Sequence, residues 1–206
     1  MNFFIILVVI IIAVCMLALI LSDHRKSKKG RDAELKVSSC LKKIARKEQI
    51  IVMNNVYLPL YDGTCEVDHI VFGSFGVLSV ETKGVSGTIS GSGKHLEHKI
   101  GSKIYKMYNP QMQNQTHVNC IKYHLRKSRI NVPVYGVVVF TASDVVFDKS
   151  IGISINDLER YIMKLPHASC NVHKTAAAIQ NIRVYNPFKK ISHNRKIASI
   201  KDDEEM

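Results

Sequence analysis

Two strand-like segments one turn apart constrain this chain more than any other feature. Cys65-Glu66-Val67-Asp68-His69-Ile70-Val71-Phe72 and Val77-Leu78-Ser79-Val80-Glu81-Thr82-Lys83 flank the turn Gly73-Ser74-Phe75-Gly76. Apolar, β-branched runs separated by a short glycine-containing loop predict a β-hairpin. Val77, Leu78 and Val80 make the second strand apolar on both sides, so charged residues at its end need a physical reason. Side chains alternate along a strand, which puts Glu81 and Lys83 on one face about 7 Å apart. Asp68, on the neighbouring strand, would project beside them. His69 would point to the opposite face, as a structural residue.

The rest of the chain supplies a frame for that hairpin. Arg31 to Glu48 reads as a helix with an imperfect apolar stripe of Leu35, Val37, Leu41, Ile44 and Ala45. Ile50 to Met53 and Val56 to Pro59 form a first strand interrupted by Asn54-Asn55, and Tyr61-Asp62-Gly63-Thr64 is a turn signal. Gly84 to Tyr108 is punctuated by Gly and Ser, with short strands at Thr88 to Ser90 and Lys103 to Tyr105 around a mobile tip. Asn109-Pro110 introduces a helix from Gln111 to Ser128. Val134 to Phe140 suits a central buried strand, returned to the sheet by a right-handed crossover. Two more helices follow, Ile155 to Leu165 and Val172 to Ile182, and then a loose charged tail. The expected fold is α/β, a mixed sheet flanked by helices in one domain over residues 30–185, with the tail at 186–206.

Phe3 to Leu21 is an unbroken apolar run of about 19 residues, long enough to cross a bilayer as a helix. Only Met1 and Asn2 precede it, and a basic linker at 23–29 follows. The expectation is a transmembrane anchor over residues 1–22, with the lipid bilayer contacted through 3–21 and anionic headgroups near 25–29. By the positive-inside rule the protein is then a single-pass membrane protein whose C-terminal domain is cytoplasmic. The net charge of +12 favours anionic partners, nucleic acid or lipid. Cys15, Cys40, Cys65, Cys120 and Cys170 form no C-x-x-C pair, which argues against a zinc ribbon and for reduced, mostly buried thiols.

Two carboxylates sharing a small site repel unless a cation lies between them, and Mg²⁺ takes oxygen ligands. Such an ion, with Mn²⁺ as a substitute, would polarise a phosphate oxygen and activate a bound water, while Lys83 stabilised developing negative charge. Lys94, Lys99, Lys103, Lys106, Lys122, Arg126, Lys127 and Arg129 would grip phosphates, and Tyr105 and Tyr108 would stack on bases.

Four motifs occur in a recognisable order. They are Gly30-x-x-x-Glu34, Val67-Asp68-His69-Ile70-Val71, Gly76-Val77-Leu78-Ser79-Val80-Glu81-Thr82-Lys83 and Asn109-Pro110-x-x-Gln113-Asn114. From Gly30 to Phe140 the chain resembles the nuclease-related domain (NERD) family of the PD-(D/E)-x-K nuclease superfamily. The resemblance implies a restriction-endonuclease-like fold and a Mg²⁺-dependent nuclease acting on DNA, RNA being the less favoured substrate. It implies Asp68 and Glu81 as the main metal ligands, Glu34 as the helix carboxylate completing the set, Lys83 as the catalytic lysine and Gln113 as a polar residue reaching the same site. His117, one helical turn beyond Gln113, would then approach the site or a phosphate. The chain departs from the pattern at Val67, which replaces the nominal proline, at Gly84, where a polar residue is usual, and in having no Trp. A non-catalytic, membrane-tethered nucleic-acid-binding module and a membrane-surface adaptor are the alternatives, and the oligomeric state stays open.

Overall fold

The computed structural model of the chain describes residues 28–60 and 63–185. The expected transmembrane anchor, most of the basic linker, the Tyr61-Asp62 part of the first turn and the tail at 186–206 lie outside the described residues. No helix among the described residues is long and apolar enough to cross a membrane.

Helix α1 covers 28–47. It is followed by β1 (Ile51–Leu60), β2 (Gly63–Gly73), β3 (Gly76–Lys83), β4 (Gly87–Ser90), β5 (His95–Ile100), β6 (Lys103–Tyr108) and α2 (Pro110–Lys127). The chain continues through β7 (Val134–Phe140), β8 (Val145–Phe147), β9 (Ile153–Ser154), a 3₁₀ turn at Ile155–Asp157, α3 (Leu158–Met163) and α4 (Val172–Ile182). The expected mixed α/β architecture is present, but as two mixed sheets instead of one. The larger has the order β1-β2-β3-β7-β9, and the smaller β6-β5-β4-β8. In the larger sheet β1, β2 and β3 pair antiparallel, and β7 returns parallel to β3 from Val77↔Val134 to Lys83↔Phe140.

Both faces of the larger sheet are covered. On one, Val37, Leu41 and Ile44 of α1 and Leu158 and Ile162 of α3 pack on Val71, Leu78, Val80, Val137 and Val139. On the other, Val118, Ile121 and Leu125 of α2 and Ala176 and Ile179 of α4 pack on Val67, Ile70, Phe72 and Val77. The apolar stripe of α1 therefore runs Ala33, Val37, Leu41, Ile44, at spacings of three and four; Leu35 is 67% exposed and outside it. Gly76 closes the β2–β3 turn at φ +106°, where a Cβ would come within 2.4 Å of the Pro133 carbonyl oxygen. That carbonyl accepts the Val77 N–H at 3.0 Å, so only glycine allows the turn to dock there.

The Asn54-Asn55 interruption lies inside a continuous β1. On β1, Met53 and then Val56 pack into the same core layer, three residues apart instead of two, and on β2 Val67 and Ile70 do the same. The cross-strand register is kept on either side, with Asn54 opposite His69 and Val56 opposite Val67. Asn55 takes φ +50°, and Arg183 donates to the Asn54 and Asn55 carbonyls, both at 2.9 Å. The two strands thus shift face together, and Asp68 sits in the shift.

The smaller sheet replaces the expected mobile tip. His95 to Ile100 reads as polar because its inward positions are Leu96 and His98. Leu96 joins a core with Ile89, Val138, Phe140 and Ile151, and a His98 ring nitrogen lies 2.7 Å from the Ser86 carbonyl oxygen. The four cysteines among the described residues are free thiols, with Cys65 and Cys120 buried and Cys40 and Cys170 half-buried.

Candidate active site

The antiparallel pairing of β2 with β3 stops at His69↔Val80. One residue further, the Asp68 side chain takes the place of a backbone partner, its Oδ2 accepting the Thr82 N–H at 2.8 Å. The strands splay there, and Glu81 and Lys83 occupy the β3 side of the opening. Their shared face is the one turned toward α2. Lys83 Nζ donates to Glu81 Oε1 at 2.8 Å and to Gln113 Oε1 at 3.0 Å. Glu81 is 2% exposed and the Lys83 side chain 22%.

Helix α2 is held in register over this strand by the chemistry of its first turns. The Asn109 side chain caps it by accepting the Gln111 N–H at 2.9 Å, and Pro110 sits at the first helical position. Asn114 clamps two strands at once. Its Oδ1 accepts the Ser79 hydroxyl at 2.7 Å, and its Nδ2 donates to the Ser79 and Val137 carbonyls at 3.2 and 3.0 Å. With Asn114 fixed, Gln113 meets Lys83, and His117, one turn on, brings Nδ1 to 3.3 Å from Glu81 Oε2. That distance lacks hydrogen-bond alignment, and Glu81 Oε2 is a buried oxygen with no hydrogen-bond donor.

Glu34 arrives from the opposite face. A Cβ on Gly84, the residue after Lys83, would fall 2.7 Å from Ala33 Cβ and 3.1 Å from the Lys29 carbonyl oxygen. Glycine therefore lets the first turns of α1 close on the end of β3, which accounts for the departure from the family pattern at this position. Glu34 is half-buried, and its charge is felt at Asp68. Burial pushes the Asp68 carboxyl well above the usual carboxylate range; the Glu81 charge and then Glu34 add to this, while the Thr82 N–H and Lys83 oppose it.

Asp68, Glu81, Lys83 and Gln113 thus converge, with Glu34 within electrostatic reach of Asp68. Two further residues were not legible in the sequence. Tyr57 donates a hydrogen bond to Glu66, its partner across β1 and β2. Burial, that bond and the charges of Glu66, Glu34 and Asp68 all raise the Tyr57 hydroxyl, which keeps it a donor. The signal was the strand register, which interrupted β1 obscured. His69 lies apart, its Nδ1 2.7 Å from Asn54 Oδ1, and burial lowers its pKa to about 4.

Among the described residues no three His, Cys, Asp or Glu side chains enclose a metal position. Asp68 and Glu81 nonetheless fit a hard divalent ion that keeps most of its waters. Two neighbouring carboxylates, one resisting ionisation and the other with an oxygen lacking a donor, form a site short of positive charge.

The model of the family described as nuclease-related domain matches residues 29–141. An uncharacterized protein of Bacillus anthracis is 32% identical over 106 residues, which cover 50% of this chain and 50% of that protein. The chain therefore spans about half the length of the curated relative it matches. No solved structure matches it significantly. Because the matched segment takes in more than half of the chain and contains Glu34, Asp68, Glu81 and Lys83 as well as Gln113, this protein belongs to the nuclease-related domain family.

Proposed function

We propose that this protein is a metal-dependent nuclease that hydrolyses phosphodiester bonds of DNA, with RNA the lesser substrate. On this reading residues 1–22 anchor it in a membrane, and a restriction-endonuclease-like domain over 30–185 works on the cytoplasmic side. The observation that carries the proposal is the convergence of Asp68, Glu81 and Lys83 where β2 and β3 part. A surface ion pair would not need an adjoining carboxylate whose ionisation is disfavoured.

Asp68 and Glu81 would hold Mg²⁺ or Mn²⁺, with Glu34 completing the set from α1. The bound ion would supply Lewis acidity at the phosphate and a lowered pKa for a coordinated water. The remaining chemistry belongs to the chain. An ammonium has three donors, and Lys83 commits two of them to Glu81 and Gln113. The third is then oriented to the attacking water or to a phosphate oxygen gaining charge. Gln113 keeps Lys83 aimed, and His117 limits the movement of Glu81. The splayed strands leave no backbone ladder between Asp68 and Glu81, and the part-exposed Lys83 marks the side from which a phosphate would approach.

The test uses full-length protein in detergent micelles with labelled DNA and RNA, in Mg²⁺, Mn²⁺ or EDTA. Metal-dependent cleavage that disappears in Asp68→Ala and Lys83→Ala is the expected result. Cleavage that persists in both variants would remove the site from consideration. Binding without cleavage in any metal would leave a membrane-tethered binding module in place of an enzyme.

A further inference from the structure

The smaller sheet is inserted between two residues of the site. Three of its four strands, β4 to β6, run from Gly87, four residues after Lys83, to Tyr108, just before the Asn109 cap of the helix that carries Gln113, and β8 joins them from beyond β7. Both roots are fixed. Asn109 N–H donates to the Lys94 carbonyl at 2.9 Å and its Nδ2 to the Gly93 carbonyl at 2.8 Å, while His98 is held at Ser86.

One face of this sheet packs inward through Ile89, Leu96 and Met107. By alternation the other face carries Glu97 and Lys99 on β5, Ile104, Lys106 and Tyr108 on β6, with Lys106 opposite Glu97, and Val146 on β8. No helix among the described residues covers it. Ile104 and Val146 are each 63% exposed and Tyr108 39%. Tyr108 is paired with His95 across the strands, ring centroids 6.1 Å apart and edge to face, which leaves aromatic surface standing on the sheet. Residues 87–108 contain four lysines and a single acidic residue, Glu97. Exposed apolar and aromatic surface among lysines, on a rigid sheet rooted at a carboxylate–lysine site, calls for a ligand with anionic links and flat apolar rings.

We propose that the outer face of the smaller sheet binds single-stranded nucleic acid and delivers it to the opening between β2 and β3. Bases stack on Tyr108 and cover Ile104, and phosphates pair with Lys99 and Lys106. A duplex presents phosphates but keeps its base faces stacked inside, so it uses only part of this surface. Delivery to the site rests on the nuclease reading above; binding does not.

The experiment measures fluorescence anisotropy of labelled oligothymidylate, a matched duplex and anionic phosphatidylserine vesicles with full-length protein in EDTA. Single strands should bind more tightly than duplex. Tyr108→Ala should weaken single-strand binding about tenfold, with Tyr108→Phe close to wild type. Lys99→Gln and Lys106→Gln, neutral changes at exposed positions, should weaken binding and flatten its salt dependence, by roughly 0.7 in slope for each phosphate no longer neutralised. Equal affinity for duplex and single strand would overturn the proposal, as would wild-type binding by the lysine variants. So would vesicle binding that falls in these variants while oligonucleotide binding does not, since the face would then be a membrane contact. Binding as expected with no cleavage in any metal would refute the nuclease reading and leave this one standing.

Discussion

The two sheets follow the same alternation of apolar and polar residues and put it to opposite use. In the larger sheet both faces are covered, so β3 buries Val77, Leu78, Ser79 and Val80 completely and carries Glu81 into the same dry environment. In the smaller sheet one face stays open, and β6 is exposed along almost its whole length. Charge in the first setting is expensive and must be matched in place, which makes it available for chemistry. In the second setting it is solvated and weakly coupled, so it serves contact and not reaction.

That contrast can be broken by experiment. The largest effect is expected at the buried charges: on the nuclease reading Lys83→Ala lowers single-turnover cleavage by about a hundredfold to a thousandfold. Ile104→Ala, on the open sheet, should leave the rate of a bound substrate unchanged. A comparable loss in both would abolish the division of labour. Next, Leu41→Ala should cost about 2–5 kcal/mol in chemical denaturation because it empties a fully buried position between α1 and the larger sheet. Ile104→Ala should stay within about 0.5 kcal/mol.

His69 gives the pH dependence. Its folded pKa of about 4 lies below the ordinary histidine value of 6.5, so between those pH values the unfolded chain binds more protons. The His69 contribution to stability, about 3 kcal/mol in all, should therefore be lost as pH drops from 6.5 towards 4, while the raised Asp68 carboxyl, which holds a proton more readily in the folded chain, acts in the opposite direction. Denaturation of metal-free protein across that range would show it, and His69→Gln should flatten the slope. An unchanged slope would mean that His69 is not buried as a neutral ring. The smallest effect is expected at Gly84. Gly84→Ala forces α1 away from β3 at a cost of about 1–3 kcal/mol, and it should lower cleavage by displacing Glu34. Unaltered stability would mean that α1 does not approach β3 this closely.

Much of the candidate site could be read along the chain because its residues lie on strands and a helix with regular periods. Glu81 and Lys83 share a face by the strand period of two, and Gln113 and His117 share one by the helical period. Asn109-Pro110 marked the helix start correctly. Periodicity failed where polar residues point inward or apolar ones outward. His98 fills a core position by bonding a carbonyl, which hid β5, and Leu35 stands in solvent, which misplaced the stripe of α1. The division into two sheets was equally hidden, because β4 pairs with β8 across more than fifty intervening residues.

By itself the sequence determined the strands and helices with strong periods, the order of the four family motifs, and the residues able to do acid, base and metal chemistry. These follow from local geometry and side-chain type. Tertiary structure decided how those residues meet. The Asn55 and Asp68 face shift, the Asn114 clamp and the bare Cα of Gly84 bring three elements to one opening between two strands. Each depends on packing between segments far apart in the chain, and no local period encodes it.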